Sequence, residues 1–428
     1  LDSCNNASTR SKEHNSINLE AKINICDFTI ELNWNEYINI IDGLSHYNLF
    51  INEIDQSGGI NNSIERISYE QMTFTINNIN IGSVYYIFVE ACNMDTSLVA
   101  TSDKLQVSIE KSIQPSFNYI QSVSINHDNG FVELDCLIDD QPTIDHYDVF
   151  RSLKDEDNFN KIGFIPFNGN ANIHYLDRTA ITSDQSYKYQ VYPVDSCGVR
   201  LTVPPVSSIE YINDTSLAQT ILLQVEINRE DTSNLSLKRE YTNTITFNEY
   251  QVWLGSVSEY RLYRSVNRKS FSVLPLYVWD RFSNPEEELL YIDVVTEYGD
   301  GNGSFCYYVE AIEGNFTPYE PALYGASSNV ECVSQTPIIF IPSVFTPNDD
   351  EHNEVFRPIT CYVSDIGYSF IIYNREGILM FSTNDPQKGW DGTYQGSQVQ
   401  DGSYVYYLQY INGVGDLTEK TDIITIVR

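Results

Sequence analysis

Hydrophobic and polar residues alternate along most of this chain with a period of two. The alternation is clearest from Phe28 to Trp34 and from Tyr47 to Ile51, where every second residue is a large apolar one. Such a period places one face of a strand in a core and the other in water, as in antiparallel sandwiches. Asn, Gly, Asp and Ser cluster between the runs, and no long stretch has the helical period. The pattern predicts an all-β chain of two-sheet sandwiches.

The same strand signals recur at a spacing of roughly a hundred residues, which indicates a repeated domain. Asn35-Glu36-Tyr37 is followed ten residues later by Tyr47, and Asn248-Glu249-Tyr250 is followed at the same distance by Tyr260. Tyr147 and Tyr260 each lead, four residues later, into an Arg-Ser pair. An aromatic strand that ends in a small residue also occurs three times, at Tyr85–Ala91, Tyr187–Pro193 and Phe305–Ala311.

The order of these strands resembles that of fibronectin type III domains, which are immunoglobulin-like sandwiches. The resemblance implies that Trp34, Cys136 and Phe247 occupy the core position of the second strand in three successive copies. It predicts fibronectin III-like domains at 21–112, 113–215 and 216–336, followed by a small C-terminal β-sandwich at 337–428. Residues 1–20 are expected to be the remnant of a preceding β-module, because Asp2-Ser3-Cys4 repeats Asp195-Ser196-Cys197. The chain is therefore expected to be a fragment of a longer protein.

Acidic residues far outnumber basic ones, and this narrows the range of partners. The 59 Asp and Glu against 25 Lys and Arg give a formal net charge of −34. Such a field repels nucleic acid and anionic lipid surfaces. No apolar run approaches the roughly 20 residues that span a bilayer, so direct membrane insertion is not expected.

Eight cysteines beside only three methionines indicate an oxidising compartment. No Cys-x-x-Cys or zinc-site spacing occurs, so disulfides or buried thiols are expected. The candidate disulfides are Cys26 with Cys92, Cys306 with Cys332, and Cys136 with Cys197. A buried free thiol is the alternative at Cys136, which occupies a core position. The partner of Cys4 is expected upstream, in the preceding module, and Cys361 is expected to be a free thiol.

The segment after Thr336-Pro337 has its own motifs: a Phe-Thr-Pro-Asn run, an Asn-Arg-Glu-Gly turn, a Trp-Asp-Gly triplet and a last strand ending at Arg428. This order is similar to the gliding-motility-associated C-terminal domain, the type B sorting signal of the type IX secretion system in Bacteroidota. The resemblance runs from about Ile338 to Arg428 and implies a folded β-domain that the export machinery recognises. The motif residues are Phe345, Pro347, Asn348, Asn374, Arg375, Gly377, Trp390, Asp391, Gly392, Tyr404 and Arg428.

The segment departs from the family's motifs at several positions. Asp349 and Glu351 stand where the family has glycines, Glu354 replaces an Asp, and Glu376 replaces a Trp. The acidic loop nevertheless collects oxygen ligands of the kind that calcium prefers. The candidate calcium ligands are Asn348, Asp350, Asn353 and Glu354. The alternative is a solvated acidic turn, which the missing glycines favour, and no other cofactor is expected.

Catalytic motifs are absent from the sequence. There is no Gly-x-Ser-x-Gly, no His-Glu-x-x-His and no phosphate-binding glycine loop before a helix. Gly299-x-Gly301-x-Gly303 lies between strand patterns and predicts a hairpin turn. The sequence therefore favours a protein that is not an enzyme.

The leading hypothesis is the C-terminal part of a secreted cell-surface protein, an adhesin or motility-related filament, with stalk modules and a sorting domain. By resemblance, its partners are outer-membrane components of type IX secretion: the translocon, its shuttle barrel and a porin-like protein for type B substrates. One alternative is the spacer and sorting region of a secreted hydrolase whose catalytic domain lies upstream. Another is a carbohydrate-binding module within the repeats, which requires an exposed strip of aromatic side chains.

Overall fold

The computed structural model describes residues 13–110, 115–139, 144–201, 217–228, 240–251, 253, 256–314 and 324–428. Apart from a 3-10 turn at Thr296–Tyr298, every regular element in these ranges is a β-strand, so the predicted all-β fold is confirmed. No helix among them is long and apolar enough to cross a membrane. Asp2-Ser3-Cys4, on which the predicted N-terminal remnant rests, lies outside the described residues.

Contacts divide the chain into two compact units. One consists of Leu1–Pro115, Gln141–His146 and Pro193–Thr202, and the other of Ser116–Asp140, Tyr147–Tyr192 and Val203–Arg428. The five-segment division of the sequence stays a prediction.

The first sandwich holds the alternating runs that the sequence shows most clearly. Its strands are β1 Leu19–Asn24, β2 Thr29–Trp34, β3 Leu44–Ile54, β4 Ile60–Ser68, β5 Thr73–Asn77, β6 Val84–Asn93, β7 Val99–Thr101 and β8 Leu105–Ser108. One sheet has the order β1-β2-β5 and the other β4-β3-β6-β7, with β8 also paired to β6. Trp34 and Tyr47 are buried in the core, with their rings edge-on and 5.7 Å between centroids.

The second sandwich repeats this arrangement. Its strands are β9 Asn118–Ile125, β10 Val132–Ile138, β11 Ile144–Leu153, β12 Asn160–Pro166, β13 Asn172–Asp177, β14 Tyr187–Asp195 and β15 Leu217–Gln219. The sheets have the orders β13-β10-β9 and β12-β11-β14-β15. Cys136 on β10 is fully buried, as expected of the core position in the second strand.

The third sandwich is built in the same way. Its strands are β16 Leu223–Asn228, β17 Thr242–Phe247, β18 Val257–Val266, β19 Tyr277–Asp280, β20 Leu290–Val294, β21 Ser304–Glu313, β22 Gly325–Ser327 and β23 Glu331–Ser334. The sheets have the orders β16-β17-β20 and β19-β18-β21-β22, with β23 also paired to β21. Phe247 is half-buried and packs edge-on against Trp279, 5.0 Å between centroids.

The repeated Asn-Glu-Tyr signal has the same structural role in both copies. The hydroxyl of Tyr47 accepts a hydrogen bond from the backbone N–H of Tyr37 at 3.0 Å, and Tyr260 accepts from Tyr250 at 2.8 Å. Each tyrosine thereby satisfies a backbone donor in the loop that crosses between the sheets. This bond explains the fixed spacing of ten residues.

The asparagine of the same signal joins neighbouring segments. The side-chain oxygen of Asn35 accepts from the backbone N–H of Asn18 at 2.7 Å, and Asn248 accepts from Leu222 at 2.7 Å. Both donors precede the first strand of their sandwich. In both sandwiches, therefore, the asparagine after the second strand holds the backbone that leads into the first strand.

The Arg-Ser pairs mark a buried ionic network. Arg151 contacts Asp177 at 2.6 Å, and the hydroxyl of Tyr189 donates to the same carboxylate at 2.8 Å. The third sandwich repeats the network with Arg264, Asp293 and Tyr307, at 2.6 and 2.7 Å. Each carboxylate is nearly inaccessible to water, and a buried charge of this kind needs both its ionic partner and its hydrogen bonds.

The predicted disulfide between Cys26 and Cys92 is wrong. Cys26, in the turn after β1, is bonded to Cys197, in the turn after β14. Cys92 is a buried free thiol whose sulfur accepts a hydrogen bond from Asn48. The preceding Ala91 points into the core, so Cys92 points to the other face of β6, away from the sheet that carries Cys26.

The predicted pair of Cys136 and Cys197 is also wrong, and the alternative of a buried free thiol at Cys136 is the one found. Cys306 and Cys332 do form a disulfide, since they lie opposite each other on β21 and β23. Cys361 is a free thiol, and Cys4 lies outside the described residues.

Candidate functional site

The C-terminal domain carries all the motif residues. Its strands are β24 Ile338–Phe340, β25 Val344–Phe345, β26 Ile359–Cys361, β27 Ser369–Tyr373, β28 Leu379–Thr383, β29 Thr393–Tyr394, β30 Ser397–Gln398, β31 Gly402–Ile411 and β32 Leu417–Ile426. The main sheet has the order β25-β32-β31-β27-β28. The short β25 pairs with the end of β32 in parallel, which brings the opening motif beside the last residues of the chain.

The aromatic motif residues form the core of this domain. Phe345, Trp390 and Tyr404 are 2%, 1% and 7% exposed. The Trp390 ring lies 5.7 Å from Phe345 and 5.0 Å from Tyr404, between centroids, and its indole N–H donates to the carbonyl oxygen of Thr393 at 2.8 Å. These three residues therefore maintain the fold and are not available to a receptor.

Arg428 joins the Phe-Thr-Pro-Asn run to the Trp-Asp-Gly triplet, in an arrangement that we name the Arg428 clamp. Its guanidinium donates to the carbonyl oxygens of Pro347, Val399 and Gly392 at 3.1, 2.7 and 3.2 Å. It also pairs with the Asp401 carboxylate at 2.9 Å. The planar, multidentate donor set of arginine suits this clamp, which a lysine could not reproduce.

Glycine is required at position 392 for two reasons. Gly392 has a φ of +76°, which residues with a side chain rarely adopt. A Cβ there would lie 3.0 Å from Pro347 and 3.1 Å from Arg428. The Trp-Asp-Gly motif thus leaves room for the clamp.

The Asn-Arg-Glu-Gly motif forms the turn between β27 and β28. The side-chain oxygen of Asn374 accepts hydrogen bonds from the backbone N–H groups of Glu376 and Ile378, both at 2.9 Å. Gly377 has a φ of +79°, which the turn requires. Arg375 and Glu376 point into solvent, so the position where the family has Trp is on the surface.

Asp391 and Asn348 also act on the backbone of their own loops. Asp391 accepts from both the backbone N–H and the hydroxyl of Thr393, at 2.9 and 2.8 Å. Asn348 accepts from the backbone N–H of Asp350 at 3.2 Å. Both are exposed, as are Arg375, Gly377 and Arg428, so a receptor could contact these motif residues.

The four candidate calcium ligands lie in one loop, and the side chains of Asn348, Asp350 and Glu354 accept hydrogen bonds from the loop's own amides. Glu354 accepts from the backbone N–H of Asp350 at 2.7 Å, and Asp350 accepts from that of His352 at 2.9 Å. Within the described residues, no group of three or more His, Cys, Asp or Glu is placed to hold a metal ion. Calcium binding by Asn348, Asp350, Asn353 and Glu354 stays a prediction.

Phe356 is a core residue that the motif comparison missed. It is fully buried and lies 5.6 Å from Phe345 and 5.7 Å from Phe370, between ring centroids. Its backbone exchanges two hydrogen bonds with Trp390, at 2.8 and 2.9 Å. The sequence signal was its place directly after the acidic loop, where the chain re-enters the core.

An apolar stripe crosses the outer face of the main sheet. Leu379 and Ile423 are 48% and 56% exposed, and the half-buried Tyr373 and Val405 lie between them in register. The pair Ile423-Ile424 was its signal in the sequence, because only one of two adjacent strand residues can face the core.

The fold and the Arg428 clamp define a small all-β domain in which Arg428, after β32, holds the opening motif in place. Residues 339–426 match the family model described as the CHU_C type IX secretion signal domain. The resemblance seen in the sequence is thereby confirmed for this segment. No curated protein matches the chain.

Three solved structures are similar to the chain at low identity. A tetra-tandem repeat in the extending region of a large adhesion protein has 10% identity over 96% of this chain and 99% of its own, with a TM-score of 0.23. The FN1-FN3 domains of chicken CNTN1 have 12% identity over 74% of this chain and 98% of their own, with a TM-score of 0.22. A two-domain fibronectin type III segment of chicken tenascin has 14% identity over 43% of this chain and 92% of its own, with a TM-score of 0.19. At these scores the similarities carry no functional argument.

Proposed function

We propose that this chain is the C-terminal part of a secreted cell-surface protein, and that its last domain is recognised by the type IX secretion machinery. The observation that carries the proposal is the family match over residues 339–426. The Arg428 clamp supports it, because it accounts for the motif residues as parts of one folded domain. Two disulfides fit an oxidising compartment outside the cytoplasm.

The finer assignments are part of the same proposal. The sandwiches at 21–112, 113–215 and 216–336 would act as a stalk, and an adhesin or motility filament is the kind of protein that carries such a stalk. The partners would be the translocon, its shuttle barrel and the porin-like protein of type B substrates. The exposed motif residues Asn348, Arg375 and Asp391 are the side chains that we assign to contact with that machinery.

The proposal is tested by exporting the whole chain. The chain is given a Sec signal and produced in a bacterium with a type IX system and in the same strain without its translocon. We expect it to be accessible to added protease on intact cells only in the first strain. Equal accessibility in both strains, or retention in the periplasm of both, would contradict the proposal.

A pair of variants separates recognition from folding. Arg375→Ala removes an exposed motif side chain, and we expect it to lower surface delivery without changing the melting temperature. Lys388→Ala removes an exposed cation of the same domain outside the motifs and should change neither. If the two variants are delivered alike, Arg375 is not a contact residue.

A further inference from the structure

Tyr362 lies in the C-terminal domain but not in its core. It directly follows β26, it is fully buried, and it packs in the core cluster of the third sandwich. Its ring lies edge-on to Tyr241 and Phe305, at 5.2 and 6.3 Å between centroids. Its hydroxyl donates to the carbonyl oxygen of Val295 at 3.0 Å. One aromatic side chain thus crosses from one domain into the other.

Two glycines of the third sandwich make room for this segment. The backbone N–H of Tyr362 donates to the carbonyl oxygen of Gly299 at 2.5 Å. A Cβ at Gly303 would lie 2.9 Å from the Cβ of Tyr362, and a Cβ at Gly299 would lie 2.9 Å from the sulfur of Cys361. Protein interiors are packed too densely to absorb such overlaps without movement. We give the name Tyr362 socket to the site that the Tyr362 segment fills. It is lined by Tyr241, Val295, Gly299, Gly303 and Phe305.

The predicted hairpin turn at Gly299-x-Gly301-x-Gly303 is therefore wrong. The strands on either side, β20 and β21, belong to different sheets and do not pair. The segment is a crossing between sheets, and two of its glycines allow the close approach of another domain.

The first two sandwiches fill the corresponding corner with a tyrosine of their own. The hydroxyls of Tyr85 and Tyr187 accept from backbone N–H groups five and six residues upstream, at 2.9 and 3.0 Å. This is the tyrosine corner found in sandwich domains. The third sandwich has Phe305 at the equivalent position, without a hydroxyl, and Tyr362 of the next domain brings a hydroxyl to this corner instead.

Two further observations indicate a specific interface between the third sandwich and the C-terminal domain. Tyr362 has a φ of +60°, a conformation that a bulky residue keeps only where its surroundings impose it. A second contact lies nearby, where Arg268 donates to the carbonyl oxygen of Gly413 at 2.9 Å. A Cβ at Gly413 would lie 2.6 Å from the carbonyl oxygen of Asn302.

We propose that the third sandwich is the docking partner of the C-terminal domain, that Tyr362 is the anchor, and that the two unfold as one cooperative unit. The working C-terminal unit then begins in the third sandwich, near residue 217, and not at residue 339. The docking claim goes beyond the proposed function and is independent of it, whereas its consequence for export rests on that function.

Hydrogen exchange on the full chain tests the docking. We expect Tyr362→Ala to speed exchange at least about tenfold in β20 and in residues 296–305, because opening of the joint exposes these amides. The amides of β3 in the first sandwich should be unaffected. Tyr394→Ala, an exposed tyrosine of the same domain, is the control and should leave all of these rates unchanged. If Tyr362→Ala changes exchange only within the C-terminal domain, the proposal is wrong.

A glycine pair gives a second test that leaves Tyr362 in place. Gly303 and Gly377 have φ values of +76° and +79°, so an alanine introduces similar backbone strain at both. Nothing lies within 4 Å of a Cβ at Gly377, whereas a Cβ at Gly303 meets Tyr362. We expect Gly303→Ala, and not Gly377→Ala, to split the joint melting transition of the two domains into two. Equal effects of the two variants would overturn the proposal.

The export assay then separates the two proposals. We expect Tyr362→Ala to reduce surface delivery of the full chain, and Tyr394→Ala to leave it unchanged. Failure of the unaltered chain to reach the surface would count against the export proposal alone. Normal delivery of Tyr362→Ala, together with unchanged exchange in the socket, would count against the docking proposal alone.

Discussion

In the acidic loop of the C-terminal domain, the φ angles of two residues explain why the sorting-domain family has glycine at those positions. Asp349 and Glu351 have φ values of 65° and 68° in the positions where the family has glycine. An L-residue with a side chain is strained in this left-handed region, and Glu less easily enters it than Asp or Asn. The loop therefore keeps its geometry although the residues that favour that geometry are absent.

We predict that Glu351→Gly stabilises the protein. Relief of left-handed strain is worth about 1–2 kcal/mol, and the greater freedom of glycine in the unfolded chain returns part of it. The net gain should be about 0.5–1 kcal/mol in the free energy of unfolding, measured by chemical denaturation. Glu351→Gln removes the same charge and keeps the strain, so it should give no gain. A Gly variant no more stable than the Gln variant would exclude the strain argument.

At the scale of elements, the buried ionic network depends on three strands at once. The ionic network of Arg, Asp and Tyr joins β11, β13 and β14 in the second sandwich and the equivalent strands in the third. In the first sandwich, Ile51 and Ile87 occupy the positions of the Arg and the Tyr and are buried in an apolar core. The same backbone arrangement thus accepts either solution, provided that every buried polar group has a partner.

Another buried carboxylate, that of Glu313, lies between β9 of the second sandwich and β21 of the third. Glu313 at the end of β21 is fully buried, and the hydroxyl of Tyr119 donates to one of its oxygens at 3.2 Å. Its other oxygen has no hydrogen-bond partner among the described residues. Burial raises the pKa of Glu313 to about 7, since the hydrogen bonds from Tyr119 and from the backbone of Tyr324 offset only part of the desolvation.

We predict that stability falls with rising pH because of this group. A folded-state pKa above the unfolded value means that the protonated form is favoured on folding. Its stabilising effect is complete below about pH 4.5, and it is lost as the pH rises through about 7. Glu313→Gln should therefore gain about 3 kcal/mol over the unaltered protein at pH 8.

The measurement is the free energy of unfolding of both proteins at pH 5 and pH 8. The difference between them should be small at pH 5 and large at pH 8, because other titrating groups are common to both. An equal difference at the two pH values would show that Glu313 does not titrate in this range.

Over the whole chain, the disulfides act at very different sequence distances. Cys26–Cys197 spans 171 residues, whereas Cys306–Cys332 spans 26. When the chain is pulled at its ends, the segment inside a disulfide loop carries no extension. The Cys26–Cys197 bond thus keeps most of the first two sandwiches from extending under force.

We predict how much longer the fully stretched chain becomes when the Cys26–Cys197 disulfide is removed. In single-molecule stretching, the double variant Cys26→Ser/Cys197→Ser should lengthen fully by about 600 Å more than the unaltered chain, at 3.3–3.6 Å per residue. The double variant Cys306→Ser/Cys332→Ser is the control and should add only about 90 Å. The same final length for both variants would mean that the Cys26–Cys197 bond does not bear the load.

The sequence by itself determined the all-β fold, the core positions of Trp34, Tyr47 and Cys136, and the type of the terminal domain. The all-β fold follows from a local rule, since the period of two sets which face of a strand is buried. The core positions of Trp34 and Cys136 and the type of the terminal domain follow from the resemblance of the chain's motifs to known families. Only the tertiary structure decided that Cys26 pairs with Cys197, that Arg428 gathers Pro347 and Gly392, and that Tyr362 enters a neighbouring domain. Such contacts join residues far apart in the chain, and a strand pattern records which face is buried but not what it is buried against.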